Sequence, residues 1–242
     1  MASGGWRIGV GLLILPAAVA GLAGCSGSSG GSGHPATATA TASAAKAASA
    51  NGYTAAMLKG ALLTHVNGVA AAAAASSGKY ASVSQAGPGN QAPGGVQVRP
   101  KACTGPAIAG FDPVVLAASP AAGVTFQVGG NGVSEVLVTS SGKSASTALA
   151  DQVPAGCARY EEKVQGKLLT YHVKMRPVTG VGAQAELLNA YVIGHPSVEL
   201  WSLIYRGAGF VGTVTVLGPN ASEKAVEELG QQAYDFATKT LS

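Results

Sequence analysis

The clearest pattern in the chain is an alternation of apolar and polar positions over residues 168–176. One set of alternate positions is apolar: Leu169, Tyr171, Val173 and Met175. The other set is polar: Thr170, His172, Lys174 and Arg176. Side chains two residues apart share a face of an extended strand. The pattern therefore predicts a half-buried strand whose polar face meets solvent or a cleft.

Other apolar runs with strand character surround this segment. Two of them, 124–128 and 133–139, are separated by Gly-Gly-Asn-Gly, which predicts a hairpin. Three more follow the alternating strand, and they occupy residues 186–193, 198–206 and 210–217. Because short turns separate these four C-terminal segments, we expect an antiparallel meander.

Helical spacing recurs in three segments. One helix is predicted over residues 54–65, with Thr54 as its candidate N-cap. A second is predicted over residues 144–153 and ends before a proline. The last helix, of about 20 residues, is predicted to begin with Asn220 and Glu223 at the spacing of a capping box. Its apolar stripe comprises Val226, Leu229, Ala233, Phe236 and Ala237. We expect this stripe to cover the inner face of the meander, as an α+β two-layer sandwich of helices on one antiparallel sheet.

The first 51 residues differ in character from the rest. Arg7 is the only charge before Cys25, an apolar stretch covers 8–20, and Leu22-Ala23-Gly24-Cys25 follows. This segment resembles a bacterial lipoprotein signal peptide with its lipobox, which implies acylation of Cys25. The alternative is an ordinary secretory peptide with a chance cysteine. We predict a signal peptide at 1–24, a Gly/Ser/Ala/Thr tether at 25–51 and a folded domain at 52–242.

Charge and composition exclude several classes of protein. Of 242 residues only 11% are charged, and the formal net charge is +4, or +3 once Arg7 is removed. A nucleic-acid surface needs clustered Lys and Arg, which this chain does not have. No long apolar run follows the signal segment, so a multi-span membrane protein is not expected. We instead expect an extracytoplasmic protein held at the outer face of the cell membrane through Cys25.

Two cysteines remain after Cys25 is assigned to lipid. Cys103 and Cys157 form an even pair in a chain predicted to be exported, where oxidation is expected. A disulfide is the favoured interpretation. Metal ligation and two free buried thiols are the alternatives, and a pair of thiols without nearby His or Asp makes a poor metal site.

Motifs for catalysis are incomplete. The histidines are isolated in sequence, and none lies in a His-Glu-x-x-His pattern. Residues 142–144 resemble the end of a phosphate-binding loop but lack its first glycine, and residues 180–185 precede a predicted strand instead of opening a helix. The sequence predicts no enzyme, no cofactor and no metal site.

Several C-terminal features together resemble a known family. They are Cys157-x8-Gly166-x4-Tyr171, Gly182 before a strand, a glycine-containing turn after Arg206, a Val/Thr strand and the final amphipathic helix. This order is similar to actinobacterial sensor-domain lipoproteins and to the extracellular sensor domains of PknH-like serine/threonine kinases. The opening helix from Tyr53 is similar as well. The resemblance implies an α+β sensor fold with paired cysteines. This chain differs from those domains in two respects. It has one candidate disulfide, where many kinase sensor domains have two, and it has Ala183 at a position that is typically acidic in them.

The combined prediction is a non-catalytic, membrane-anchored sensor or ligand-binding lipoprotein. Its candidate ligand-binding residues are Tyr171, His172, Trp201, Tyr205 and Arg206, with Tyr191 as a further aromatic candidate. Arg206 is the candidate to orient an anion, and a purely structural role stays open for every one of these residues. The ligand is an unknown small molecule, lipid or envelope protein. A lipid or glycolipid carrier and an envelope protein-interaction module are the alternative functions.

Overall fold

The computed structural model describes residues 52–85, 97–103, 116–140, 145, 149, 153, 156–164 and 167–242. The predicted signal peptide, Cys25 and the predicted tether lie outside these residues. Most of the helix predicted over 144–153 lies outside them too, but Ala145 and Leu149 are helical and buried. In the described part of the chain, no helix has the length and apolar character needed to cross a membrane.

The elements are numbered here in chain order. The helices are α1 (Ala55–Gly60), α2 (Tyr80–Gln85) and α3 (Glu223–Leu241), with a 3-10 turn at Lys101–Cys103. The first strands are β1 (His65–Val66), β2 (Val69–Ala70), β3 (Ser76–Lys79), β4 (Gln97–Arg99), β5 (Pro120–Val128) and β6 (Asn131–Thr139). The remaining strands are β7 (Arg159–Val164), β8 (Lys167–Val178), β9 (Gln184–Val192), β10 (His195–Arg206) and β11 (Phe210–Gly218).

Nine of these strands form one antiparallel sheet in the order β3-β5-β6-β11-β10-β9-β8-β7-β4. The strands β1 and β2 pair separately. The predicted hairpin is β5–β6, and the predicted meander is β8–β9–β10–β11, so both predictions are confirmed. Strand β11 lies between β6 and β10 and joins the hairpin to the meander.

One face of the sheet, here called the helix face, carries α1 and α3. Strand β10 contributes Leu203 and Tyr205 to this face, and both side chains are fully buried. Helix α3 packs on β10 and β11 with Val226, Ala233 and Ala237, while α1 packs on β3, β5 and β6 through Leu58. The apolar stripe predicted for the last helix therefore covers the meander, with one exception noted below.

The opposite face, here called the disulfide face, is also buried along β10. One apolar cluster brings α2, Leu116, Ala145 and Leu149 against Ile204 and its neighbours. A second cluster surrounds the bond between Cys103 and Cys157, whose sulfur atoms are 2.02 Å apart. Between the two clusters, the Ser202 hydroxyl lies 3.0 Å from Thr213 Oγ1 and 2.9 Å from Thr215 Oγ1. The α+β class and the disulfide are confirmed, and the core occupies both sheet faces.

Three local predictions need correction. Helix α1 ends at Gly60, five residues before the predicted end. The N-cap of α3 is Ser222, whose hydroxyl accepts the Ala225 N–H at 3.3 Å, and not Asn220. Asn220 instead ties two turns together, because its side chain donates to Gly129 O at 3.0 Å. Phe236 is 38% exposed and lies at the margin of the buried stripe.

Candidate functional site

The candidate site lies on the helix face where β8, β9 and β10 run side by side. Its residues are His172, Lys174, Asn189, Tyr191 and Trp201, and we call this group the open cluster. All five side chains are partly or fully exposed, whereas the same face is buried where α3 crosses β10 and β11. The predicted polar face of β8 is therefore confirmed as the accessible one.

Strand register brings the cluster together in two rows. In one row His172 lies opposite Tyr191, which lies opposite Glu199. In the next row Lys174 lies opposite Asn189, which lies opposite Trp201. Directly opposed residues of an antiparallel pair have Cβ atoms about 5 Å apart. Side chains from three separate segments thus share one small patch.

Tyr191 is the centre of the cluster. Its ring stacks on the His172 ring with centroids 5.6 Å apart and planes inclined by 26°. The Lys174 ammonium nitrogen lies 5.9 Å from the Tyr191 ring centroid, within the range of a cation–π interaction. A cation and two aromatic rings are therefore held together at the surface.

Trp201 is oriented by a neighbour on its own strand. Its indole N–H donates to a Glu199 carboxylate oxygen at 2.9 Å, and part of the ring packs against the core of the helix face. The amide of Asn189 donates to Leu200 O at 3.4 Å. Both side chains are thus held in fixed positions beside Lys174.

Arg176 forms the border between the cluster and α3. Its guanidinium donates to carboxylate oxygens of Glu223 and Glu227, the latter at 2.7 Å. These two hydrogen bonds raise the pKa of Arg176 above its ordinary value. Because Glu223 and Glu227 lie in the first turns of α3, the ion pairs connect β8 to the beginning of that helix. Arg176 lies two residues from Lys174 on the same face of β8.

The structure separates the residues that the sequence singled out for ligand binding. His172 and Trp201 belong to the open cluster. Tyr171 lies on the disulfide face, where its ring stacks on Tyr160 at 4.9 Å and burial raises its pKa to about 12. Arg206 ends β10 on that same face, and its carbonyl accepts the Ala183 N–H at 2.9 Å.

Tyr205 lies wholly inside the core of the helix face. Its ring makes edge contacts with Phe210 and Tyr234, at centroid distances of 6.4 and 5.7 Å. The ring also lies over Gly212, where any added Cβ would overlap it. A side chain with no exposed surface is not available to a ligand at the surface, so the expectation for Tyr205 is corrected to a packing role.

Sequence reasoning left Asn189 and Glu199 out of the candidate set. Both residues are polar side chains on strands of mixed pattern, and only the pairing of β9 with β10 places them beside Lys174 and Trp201. Glu199 could have been predicted from the sequence, because it lies two residues before Trp201 and therefore on the same face of the strand. Among the described residues, no group of three or more His, Cys, Asp or Glu side chains is arranged to hold a metal ion.

Comparisons with known proteins give distant similarities. No protein-family profile and no curated protein matches the chain. Among solved structures, the extracellular domain of PknH from Mycobacterium tuberculosis is similar with a TM-score of 0.44 and 13% identity, covering 60% of this chain and 77% of that one. The chain resembles that domain, as the sequence features predicted.

A second solved structure is also similar. It is an uncharacterized protein (Rv0999 ortholog) from Mycobacterium smegmatis, with a TM-score of 0.39 and 17% identity, covering 68% of this chain and 86% of that one. Neither similarity indicates what the present chain binds. The function proposed below therefore depends on the geometry of the open cluster.

Proposed function

We propose that the chain is an extracytoplasmic, lipid-anchored binding protein with a non-catalytic, sensor-like domain. Its ligand contacts the open cluster on the helix face. The observation that supports this most directly is the exposed stack of His172 and Tyr191 with Lys174 over the Tyr191 ring. Aromatic rings and a cation grouped at a surface are typical of binding sites.

The chemistry of the cluster favours a ligand that combines an anionic group with a planar or apolar body. Lys174 supplies the cation for the anionic group. Tyr191 and Trp201 supply flat apolar surfaces, and their orientation is fixed by the contacts of Lys174 and Glu199. A ligand that meets rings already in place loses less conformational entropy on binding.

The ion pairs of Arg176 connect this site to the beginning of α3. An anion bound at Lys174 is close to the Arg176 guanidinium and competes with Glu223 and Glu227 for it. Weakening of those pairs loosens the first turns of α3 from β8. Ligand binding is thereby transmitted to the helix, which is the property that a sensor requires.

The predicted anchor supports an extracytoplasmic setting. The lipobox-like Leu22-Ala23-Gly24-Cys25 implies acylation of Cys25, and the disulfide between Cys103 and Cys157 fits an oxidising compartment. The carrier function requires an apolar cavity between the sheet and the helices. At Gly212 and Gly230, by contrast, the side chains of Tyr205 and Leu203 leave no room for an added Cβ. The surface site is therefore the function we propose.

Native mass spectrometry of the full chain, purified from an actinobacterial host, tests the proposal. We expect a bound mass that is lost on extraction, together with a diacylglycerol-bearing Cys25 as the N-terminal residue. The identified ligand is then titrated against the Lys174→Ala and Tyr191→Ala variants. Each substitution is expected to weaken binding by about tenfold, because it removes the charge or the ring.

The matched control is Lys79→Ala, which removes an exposed lysine from β3 at the far edge of the same sheet. This variant is expected to bind as the parent does. Equal affinities in all four proteins, or a chain that carries no mass other than its anchor, would contradict a ligand site at the open cluster.

A further inference from the structure

Two large aliphatic side chains are exposed at one corner of the sheet. Leu168, near the start of β8, is 59% exposed, and Ile193, just after β9, is 44% exposed. The Ile193 N–H donates to Thr170 O at 2.8 Å, which brings the two residues to the same end of neighbouring strands. We call this pair the apolar corner. Neighbouring exposed aliphatic side chains mark an interaction surface more often than isolated ones do.

Cations lie beside the apolar corner on the helix face, on the neighbouring strands β7 and β4. Lys163 of β7 lies directly opposite Leu168, and Arg159 lies opposite His172. Arg99 of β4 shares the face, since it lies opposite Glu161. All three cations are exposed, and none takes part in an ion pair found among the described residues. Glu161 is the acidic residue among them, so positive charge is in excess here.

The aromatic residues of the open cluster border the same corner. His172 and Tyr191 form the next row of the sheet after Thr170 and Ile193. Aromatic side chains with a polar end favour the boundary between water and the apolar part of a membrane. Aliphatic, aromatic and cationic side chains thus lie next to one another on this part of the helix face.

We infer that the apolar corner docks on the surface of an anionic phospholipid bilayer. Leu168 and Ile193 enter the boundary between headgroups and acyl chains, while Arg99, Arg159 and Lys163 bind lipid phosphates. A protein partner needs a complementary surface, whereas two exposed aliphatic side chains beside cations that form no ion pair among the described residues match a plain anionic membrane. The inference goes beyond the proposed ligand site, because it uses none of the charges of the open cluster.

The expected docking is weak by itself. Each cation near an anionic surface strengthens binding about fivefold. The two partly inserted aliphatic side chains together strengthen binding by a similar factor. Docking becomes effective when the same chain is already attached to the bilayer, because attachment raises the local concentration of the corner. The domain would then lie on the membrane with the open cluster at the headgroup level.

Photolabelling of the full chain with lipid vesicles tests this inference. The vesicles contain phosphatidylcholine and a diazirine-bearing phosphatidylglycerol, and the labelled peptides are mapped after irradiation. We expect label on peptides containing Leu168 and Ile193, and loss of that label in high salt. Label on the acylated N-terminal peptide that begins at Cys25 is resolved separately, so it does not obscure the result.

The Leu168→Ser/Ile193→Ser and Arg159→Glu/Lys163→Glu variants are each expected to lower labelling of the corner by at least about tenfold. Val69→Ser is the matched control, since it removes an aliphatic side chain that is 40% exposed elsewhere on the domain. Equal thermal unfolding of all variants shows that the fold is kept.

An unlabelled corner would overturn the inference, and so would equal label from neutral vesicles in which a diazirine-bearing phosphatidylcholine replaces the phosphatidylglycerol. Self-association through the corner, or its capture by a protein while the vesicles leave it unlabelled, would also overturn it. The ligand titrations contain no vesicles, so failure of the docking and failure of the ligand site give separate results.

Discussion

Glu135 carries a carboxyl group that lies almost wholly inside the core of the helix face. It lies on β6 facing the helix face, is 1% exposed, and accepts the Leu63 N–H through Oε2 at 2.8 Å. Its Oε1 and the hydroxyl of Tyr205 are buried without a hydrogen-bond partner in the described structure. Burial raises the pKa of Glu135 to about 8, against the opposing effect of the Leu63 hydrogen bond. The carboxyl group is therefore mostly protonated at neutral pH.

This protonation makes stability depend on pH. The folded state keeps a proton that the unfolded chain loses near pH 4.5, so the free energy of unfolding falls as pH rises from about 4.5 to about 8. The loss attributable to Glu135 is at most about 5 kcal/mol. In Glu135→Gln the amide oxygen still accepts the Leu63 N–H but does not titrate.

We expect urea unfolding to show a flatter dependence on pH in Glu135→Gln than in the parent, with the gap between them widening towards pH 8. Parallel curves for the two proteins would show that Glu135 does not titrate in this range. Tyr205 does not produce the same slope, because burial raises its pKa well above 10.

Of the two helices on the helix face, α3 contributes more buried residues than α1. Its middle approaches β10 closely at Gly230, where an added Cβ would overlap the Leu203 side chain. In an exposed helix, Gly→Ala stabilises by about 1 kcal/mol, because the unfolded chain loses freedom. At Gly230 the overlap with a fully buried leucine opposes that gain.

Gly230→Ala is accordingly expected to lower the free energy of unfolding by about 1–3 kcal/mol. Gly60→Ala at the end of α1 is the control, since no atom lies within 4 Å of its added Cβ, and it is expected to be neutral or slightly stabilising. Chemical denaturation of both variants measures the difference. A Gly230→Ala protein as stable as the parent would show that Leu203 moves aside at little cost.

At the scale of the whole molecule, the bond between Cys103 and Cys157 joins segments 54 residues apart. In the chain-entropy description a loop of that size is worth ~4 kcal/mol of stability. The bond lies on the disulfide face, away from the open cluster. The Cys103→Ser/Cys157→Ser variant is thus expected to unfold at lower urea and to bind the ligand with unchanged affinity.

The single variant Cys157→Ser loses the same bond but keeps the Cys103 sulfur. The difference between the two variants therefore measures the effect of replacing that buried sulfur atom. Both variants lose the cross-link, so they are expected to be destabilised to a similar degree. A loss of ligand affinity in the double variant, at a temperature where it is folded, would show that the two faces are coupled.

Features that depend on local pattern were predictable from the sequence. The alternation along β8, the hairpin β5–β6, the stripe of α3 and the cysteine pair all follow from residues close together or from simple counting. The roles of the aromatic residues on β10 were not predictable, because Tyr205 and Trp201 share a strand face and only the position of α3 decides which of them is covered. The pairings of β3 with β5 and of β4 with β7 join distant segments and leave no local signal.

The position of β11 also determines the order in which this domain completes its fold. Hairpins such as β5–β6 and β9–β10 pair segments close in sequence and form early. The seam between them closes only when β11 enters between β6 and β10, which places Phe210 opposite Thr139. A chain synthesised from its N-terminus delivers β11 after every other strand of the sheet, so the sheet is united only once this strand has emerged.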